Sequence, residues 1–86
     1  MAHTFSVSLI SPDKVYYEGK AVSLVVPAAF GYAGILAGHA PFIAQLVKGK
    51  IRIKEESGKE VLFRCPQKGI IEVFQNKATL LSESYE

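Results

Sequence analysis

Short runs in which apolar and polar residues alternate, each cut off by glycine, proline or another turn former, constrain this chain more than any other feature. From Phe5 to Ile10 the order Phe, Ser, Val, Ser, Leu, Ile puts Phe5, Val7 and Leu9 on one side of an extended strand. Ser11-Pro12-Asp13-Lys14 breaks that run, Val15 to Glu18 restarts it, and Gly19 ends it. Ala21 to Val26 carries Val22, Leu24 and Val26 on one face and stops at Pro27. The stretch Ala28 to Pro41 holds Gly31, Gly34 and Gly38 among small residues and reads as loops around one short strand near Gly34 to Leu36. Phe42 to Val47 is extended again, Lys50 to Glu55 alternates isoleucine with cations, and Ser57-Gly58 turns the chain into Lys59 to Cys65. A last hairpin joins Gly69 to Phe74 and Ala78 to Ser82 through Gln75-Asn76-Lys77.

No segment keeps apolar residues at helical spacing long enough to form a helix. The predicted fold class is therefore all-β, with about eight to ten short strands packed as a two-sheet antiparallel β-sandwich. Residues 1–86 are expected to form a single β-sandwich domain. A chain this short buries only about 60 to 65% of the surface its unfolded form exposes. Apolar residues at 49% and charged residues at 21% are nonetheless the balance of a folded domain.

Charge and chemistry narrow the function. Ten lysines and arginines are interleaved with eight acids for a net charge of +2, which does not imply nucleic acid. Lys48, Lys50, Arg52 and Lys54 line one strand face, so the alternative is a stand-alone β-sandwich or OB-like binding module for nucleic acid or another ligand. Such grooves interleave exposed aromatics with their cations, whereas Ile51 and Ile53 point to the opposite side. A solvated face is the better reading. Cys65, alone in the chain, cannot form an internal disulfide, and it follows apolar Val61 and Phe63 as a buried, inert thiol. His3 and His39 cannot build a metal site unaided, and neither a nucleophile motif nor a phosphate loop occurs. The expectation is a non-enzyme with no cofactor and no metal. The start MAHTFSVSL lacks a basic region followed by a long apolar core, and no apolar stretch approaches about 18 residues. Neither a membrane span nor a secretion signal is expected.

One strand is too apolar for a sandwich that keeps a single dry face. Phe42, Ala44 and Leu46 occupy one side of it while Ile43 and Val47 join Gln45 on the other, and Ile70, Ile71, Val73 and Phe74 repeat the pattern later. Such strands are either central and covered by a loop or part of a partner surface. Leaving several of these side chains wet costs a few kcal/mol at about 25 cal/mol per Å².

Val25-Val26-Pro27, Gly31 and the run Gly34-Ile35-Leu36-Ala37-Gly38-His39-Ala40-Pro41 resemble the centre of ATP synthase epsilon subunits, where the pattern reads much like G-I-L-P-G-H-A-P. Ser11-Pro12-Asp13 with Tyr17-Glu18-Gly19 is similar to that family's opening hairpin, and Lys48 to Ile53 to its mid-chain strand. Gly69-Ile70-Ile71-Glu72-Val73 with Asn76-Lys77-Ala78-Thr79-Leu80-Leu81 is similar to its last hairpin. The resemblance implies a non-catalytic rotor subunit of the central stalk, which couples rotation of the gamma subunit to the membrane c-ring during proton-driven ATP synthesis. It implies Ser11, His39, Phe42 and Ile43 on the gamma side, and Ala29, Phe30, Gly31 and Tyr32 facing the polar loops of the c-ring. The implied place is the cytoplasmic face of a bacterial inner membrane, with membrane contact only through the complex. The family's acidic loop is replaced here by Ala28-Ala29-Phe30-Gly31-Tyr32-Ala33-Gly34, so an aromatic contact is expected in place of charge pairing. Ala37 stands where proline is usual, and the chain stops at Glu86, before the two-helix hairpin that many relatives carry.

Overall fold

A computed structural model of the chain describes residues 3–86, and nine strands form its architecture. They are β1 (Phe5–Ile10), β2 (Val15–Ala21), β3 (Ser23–Ala28), β4 (Gly31–Leu36), β5 (Phe42–Leu46), β6 (Gly49–Lys54), β7 (Glu60–Cys65), β8 (Gly69–Phe74) and β9 (Lys77–Ser82). No helix occurs among the described residues, as the alternation requires. The strands hydrogen-bond in the order β2-β1-β9-β8-β5-β3-β6-β7, with β4 on β3. All neighbours are antiparallel except β1 and β9, which run parallel with Val7 beside Ala78 and Leu9 beside Leu80.

This single ladder curls into two layers because β3 changes partner along its length. Ser23, Leu24 and Val25 pair with β6, whereas Ala28 pairs with Leu46 of β5. Pro27 lies at the crossing and does not end the strand, contrary to the sequence expectation. It has no N–H to give, and its carbonyl accepts the Val47 N–H at 2.8 Å, so the ring sits where the ladder asks for no donor. Gly19 likewise lies inside β2 and does not terminate it. A Cβ there would meet the Tyr17 hydroxyl at 2.8 Å, so glycine makes room for that ring. In the segment expected to be loops around one short strand near Gly34 to Leu36, that strand is longer, β4 of six residues, joined to β3 by the two-residue turn Ala29-Phe30.

Both layers send their inward residues into one core. Phe5, Val7 and Leu9 of β1 meet Leu24 and Val26 of β3, Ile35 of β4, Leu46 of β5, and Ile51 and Ile53 of β6. Ile71, Val73, Ala78 and Leu80 complete it from the last hairpin. The seam between β2 and β7, the two ends of the strand order, is closed by aromatic rings. Tyr85 packs edge-on against Tyr16 at 5.0 Å and Phe63 at 6.5 Å, and Tyr17 meets Phe63 at 6.2 Å. The Tyr85 hydroxyl donates to the Ile10 carbonyl at 3.0 Å, and Glu86 exchanges two backbone hydrogen bonds with Arg64 along the edge of β7. The Tyr17 hydroxyl donates to Glu55 at 2.6 Å.

Asn76 holds the opposite corner. With Gln75 it forms a two-residue turn at positive φ, 48° and 62°, a geometry asparagine tolerates well. Its side-chain oxygen accepts the Gly38 N–H, and its side-chain nitrogen donates to the Thr4 carbonyl, each at 2.9 Å. One side chain thus ties three segments distant in sequence. Asn76→Ala loses both bonds and leaves a Cβ residue without local compensation at positive φ, so unfolding free energy from urea titration should drop by about 1 to 3 kcal/mol, and Asn76→Gly should lose less.

Burial, and for Tyr17 also the Glu55 carboxylate, pushes the Tyr17 phenol up to about 12 and the Tyr85 phenol higher still. Both rings are held neutral in the fold, so their contribution is complete below the ordinary tyrosine value of 10.0 and is lost as pH rises from there towards the folded values. Thermal melts should therefore fall between pH 9 and pH 11 ~ several degrees in the native chain, and the fall should be smaller in Tyr17→Phe with Tyr85→Phe.

Candidate functional site

On the outward side of the β5, β8, β9 and β1 layer, one part carries apolar residues where a solvated sandwich carries polar ones. Alternation fixes which they are: Phe42, Ala44 and Leu46 turn inward, so Ile43 and Gln45 turn out. On β8, Ile71 and Val73 are buried and Ile70, Glu72 and Phe74 are exposed. The register sets Gln45 beside Ile70, Ile70 beside Leu81, and Leu81 beside Ile10, so the last three form an apolar row across three strands. Ile43 lies diagonally from Ile70, and exposures of 70% for Ile43, 50% for Ile70 and 44% for Leu81 show that no segment of the described chain covers them. Together with Pro12, Lys68 and Glu83 they border an open depression of about 700 Å³.

The four residues expected on this side take different positions. Ile43 stands on the apolar face itself. Phe42 is half-buried and packs inward, with His39 edge-on to it at 5.5 Å. The half-buried His39 ring donates through Nδ1 to the Ala40 carbonyl at 2.8 Å. Ser11 is buried, and its hydroxyl donates to Asp13 at 2.9 Å while accepting the Lys14 N–H at 3.2 Å, so its side chain builds the β1–β2 turn beside the depression. Leu81 and Ile10 complete the row and were not singled out from sequence. Their outward direction depends on register, which alternation within one strand does not supply.

The second expected group, Ala29 to Tyr32, forms the turn between β3 and β4. Ala29 anchors it by donating its N–H to the Gln45 carbonyl at 2.9 Å. Gly31 has φ of 129°, a conformation that disfavours any side chain. Phe30 is largely exposed yet rests edge-on against Phe42 at 6.1 Å. Tyr32 lies over Pro27 and Gly49 and accepts the Lys50 N–H at 3.2 Å. A Cβ at Gly49 would fall 2.6 Å from Pro27 and 3.0 Å from the Tyr32 hydroxyl, so this glycine admits the ring. The contact of Phe30 with Phe42, and of Phe42 with His39, brings residues from both expected groups into one aromatic cluster.

The cationic strand face takes a different form from a nucleic-acid platform. Lys50, Arg52 and Lys54 of β6 are exposed, opposite Arg64, Leu62 and Glu60 of β7, while the aromatic Phe63 faces inward. Cys65 is buried and its thiol donates to the Gln67 carbonyl at 2.8 Å. No group of three or more metal-ligating side chains occurs among the described residues, and no helix there is long and apolar enough to cross a membrane.

Comparison with known proteins bears on the fold and the family. The family model described as "ATP synthase, Delta/Epsilon chain, beta-sandwich domain" matches residues 4–86. An ATP synthase epsilon chain of Leptospira borgpetersenii is 40% identical over 95% of this chain, which spans 63% of that relative's length. The corresponding figures for the Dichelobacter nodosus epsilon chain are 38%, 94% and 55%, and for that of Chlorobium limicola 35%, 92% and 89%. Among solved structures, a chain of the Euglena gracilis mitochondrial ATP synthase, in an assembly of OSCP, F1 and c-ring, superposes with a TM-score of 0.89 at 19% identity, covering 96% of this chain and 52% of its own. A chain of the Tetrahymena thermophila mitochondrial ATP synthase central stalk and c-ring gives 0.77 at 15%, covering 99% and 67%. The two structural matches establish the fold, and the family match with the relatives establishes kinship: this chain belongs to the β-sandwich domain family of ATP synthase delta and epsilon chains.

Proposed function

We propose that the chain is a non-catalytic rotor subunit of an F-type ATP synthase, seated between the gamma subunit and the c-ring on the cytoplasmic face of a bacterial membrane. The observation that carries this reading is the outward apolar row of Ile10, Ile70 and Leu81 with Ile43 beside it. A domain this small gains by covering such a row, and a gamma subunit that stays bound through rotation is a suitable cover. Ile43 and Ile70 are the anchors, with Pro12 and Leu81 at the margin. Phe42 and His39 act from behind, holding β5 and its connecting loop in place, and Ser11 shapes the turn that presents Pro12. The turn from Ala29 to Tyr32 faces the polar loops of the c-ring and offers aromatic surface without formal charge.

The gamma assignment is tested by mixing the chain with its cognate gamma subunit and weighing the complex eluted from a sizing column. A one-to-one complex is expected. Burying an isoleucine contributes about 1.5 to 3 kcal/mol, so Ile43→Asp and Ile70→Asp should each weaken it by about tenfold or more with melting temperature nearly unchanged. Phe42→Asp should lower folding and binding together, because that ring packs on the core. Loss of folding in step with binding for Ile43→Asp would refute the outer-face assignment.

The c-ring assignment has its own readout. Phe30→Ala with Tyr32→Ala should reduce proton pumping driven by ATP hydrolysis in reconstituted membranes by at least about half, an effect of roughly 0.4 kcal/mol on coupling, while the isolated domain still folds. Unaltered pumping removes the turn from the coupling path.

A further inference from the structure

Among the described residues, three strands, β2, β7 and β4, have a whole edge outside the ladder, and of these only β4 is unprotected. A free edge offers unpaired N–H and C=O groups to any other strand, and proteins blunt such edges with charge, proline or bulges. β2 carries Glu18 and Lys20 and has a register shift opposite it between Leu9 and Ile10. β7 carries Glu60 and Arg64, and Glu86 occupies its edge at Arg64. β4, Gly-Tyr-Ala-Gly-Ile-Leu, has neither charge nor proline and pairs only with β3.

The direction of its backbone groups follows from the hydrogen bonds of β3. The Pro27 carbonyl accepts from Val47 and the Ala29 N–H donates to Gln45, so odd-numbered positions of β3 face β5 and β6 and even-numbered ones face β4. Leu24, Val26 and Ala28 are opposite Ile35, Ala33 and Gly31, which turn their backbone groups towards β3. Tyr32, Gly34 and Leu36 therefore present theirs to the open edge, where the Leu36 carbonyl already accepts the His39 N–H at 3.2 Å. Gly34 has no reason of its own to be glycine: its φ is not positive, and a Cβ built on it meets no atom within 4 Å. A glycine inside a strand weakens it and often marks the place where another backbone comes close.

We infer that β4 pairs antiparallel with β4 of a second copy of this chain, about a two-fold axis through Gly34. This register sets Gly34 opposite Gly34 of the second copy and Tyr32 opposite its Leu36. Each pair shares one face, as a two-fold perpendicular to the sheet demands. Gly34 exchanges two N–H···O=C bonds with its counterpart, and each Leu36 N–H donates to the opposing Tyr32 carbonyl. The exposed Tyr32 and Leu36 side chains, 60% and 62% accessible, then cover each other twice on the outer surface. Self-complementarity of a six-residue uncharged strand is what selects a second copy over an unrelated segment. On the rotor reading Tyr32 also meets the c-ring, so a paired copy is one that has not joined the stalk.

Sedimentation equilibrium over increasing concentration of the isolated chain tests the pairing. The average mass should climb from one chain towards two, and hydrogen exchange of the Gly34 and Leu36 amides should slow as it does. Gly34→Lys, at a position with room for a side chain, should remain monomeric with an unchanged melting curve, and Leu36→Lys should do the same. Gly34→Cys should form a covalent dimer on oxidation while the buried Cys65 stays reduced. A native chain that stays monomeric at its solubility limit overturns the inference. So does a dimer that survives both lysine substitutions.

Discussion

Strand β3 pairs with β6 through Ser23 to Val25 and with β5 at Ala28, and this exchange of partners turns one hydrogen-bonded ladder into two facing layers. Every other feature depends on it. The inward residues of β1, β8 and β9 can meet those of β3, β4 and β6 only because the ladder folds over at this point. Pro27 suits the crossing for the reason it reads as a breaker elsewhere: a residue without an N–H leaves no donor unpaired where the ladder changes neighbour. Once the sheet is folded, its two ends at β2 and β7 face each other without shared ladder bonds. Tyr16, Tyr17, Phe63 and Tyr85 fill that seam with rings that bury apolar area and still place the hydroxyls of Tyr17 and Tyr85 on partners.

The parts legible in the sequence are those set by local rules. β1 and β8 occupy Phe5–Ile10 and Gly69–Phe74, as alternation and flanking turn residues require. What escaped was set by tertiary contact. The first half of β4 resembles a loop because Gly31 and Gly34 lower strand propensity, yet β3 supplies a ladder that carries the strand back to Gly31. Gly19 and Pro27 are punctuation only if no neighbouring ring or strand exchange gives them another use. The parallel pairing of β1 with β9, and Tyr85 against Tyr16, join residues far apart in sequence that no local pattern links.

The same division holds for the candidate surfaces. Apolar residues on both sides of Phe42 to Val47 marked this strand as unusual, but the fold decides that Ile43 faces out and Phe42 in. Cross-strand register then adds Leu81 and Ile10, which look unremarkable in their own strands. Conversely, the exposed cations of β6 have Phe63 of β7 directed inward and one exposed ring, Tyr32, at their Lys50 end, so they lack the interleaved aromatic row of a nucleic-acid groove. The outer faces thus differ in chemistry, a mixed one across β5, β8 and β9 with an apolar row at one end, and a largely cationic one across β6 and β7.

In the rotor reading, a subunit that passes torque must be stiff between its two contacts, and the aromatic turn is braced in a way that meets this demand. Phe30 rests on Phe42, and Phe42 is the neighbour of Ile43 on β5, so one packed contact leads from the turn to the apolar face. Tyr32 is held on the other side by the Lys50 N–H and by the space above Gly49. Ala29 fixes the base of the turn to Gln45. A charged loop would depend on solvent-screened attraction and would keep long, mobile side chains at the contact. Two rings anchored on strands lose little further entropy when they seat, and an uncharged contact of this kind should be far less sensitive to salt than ion pairs would be.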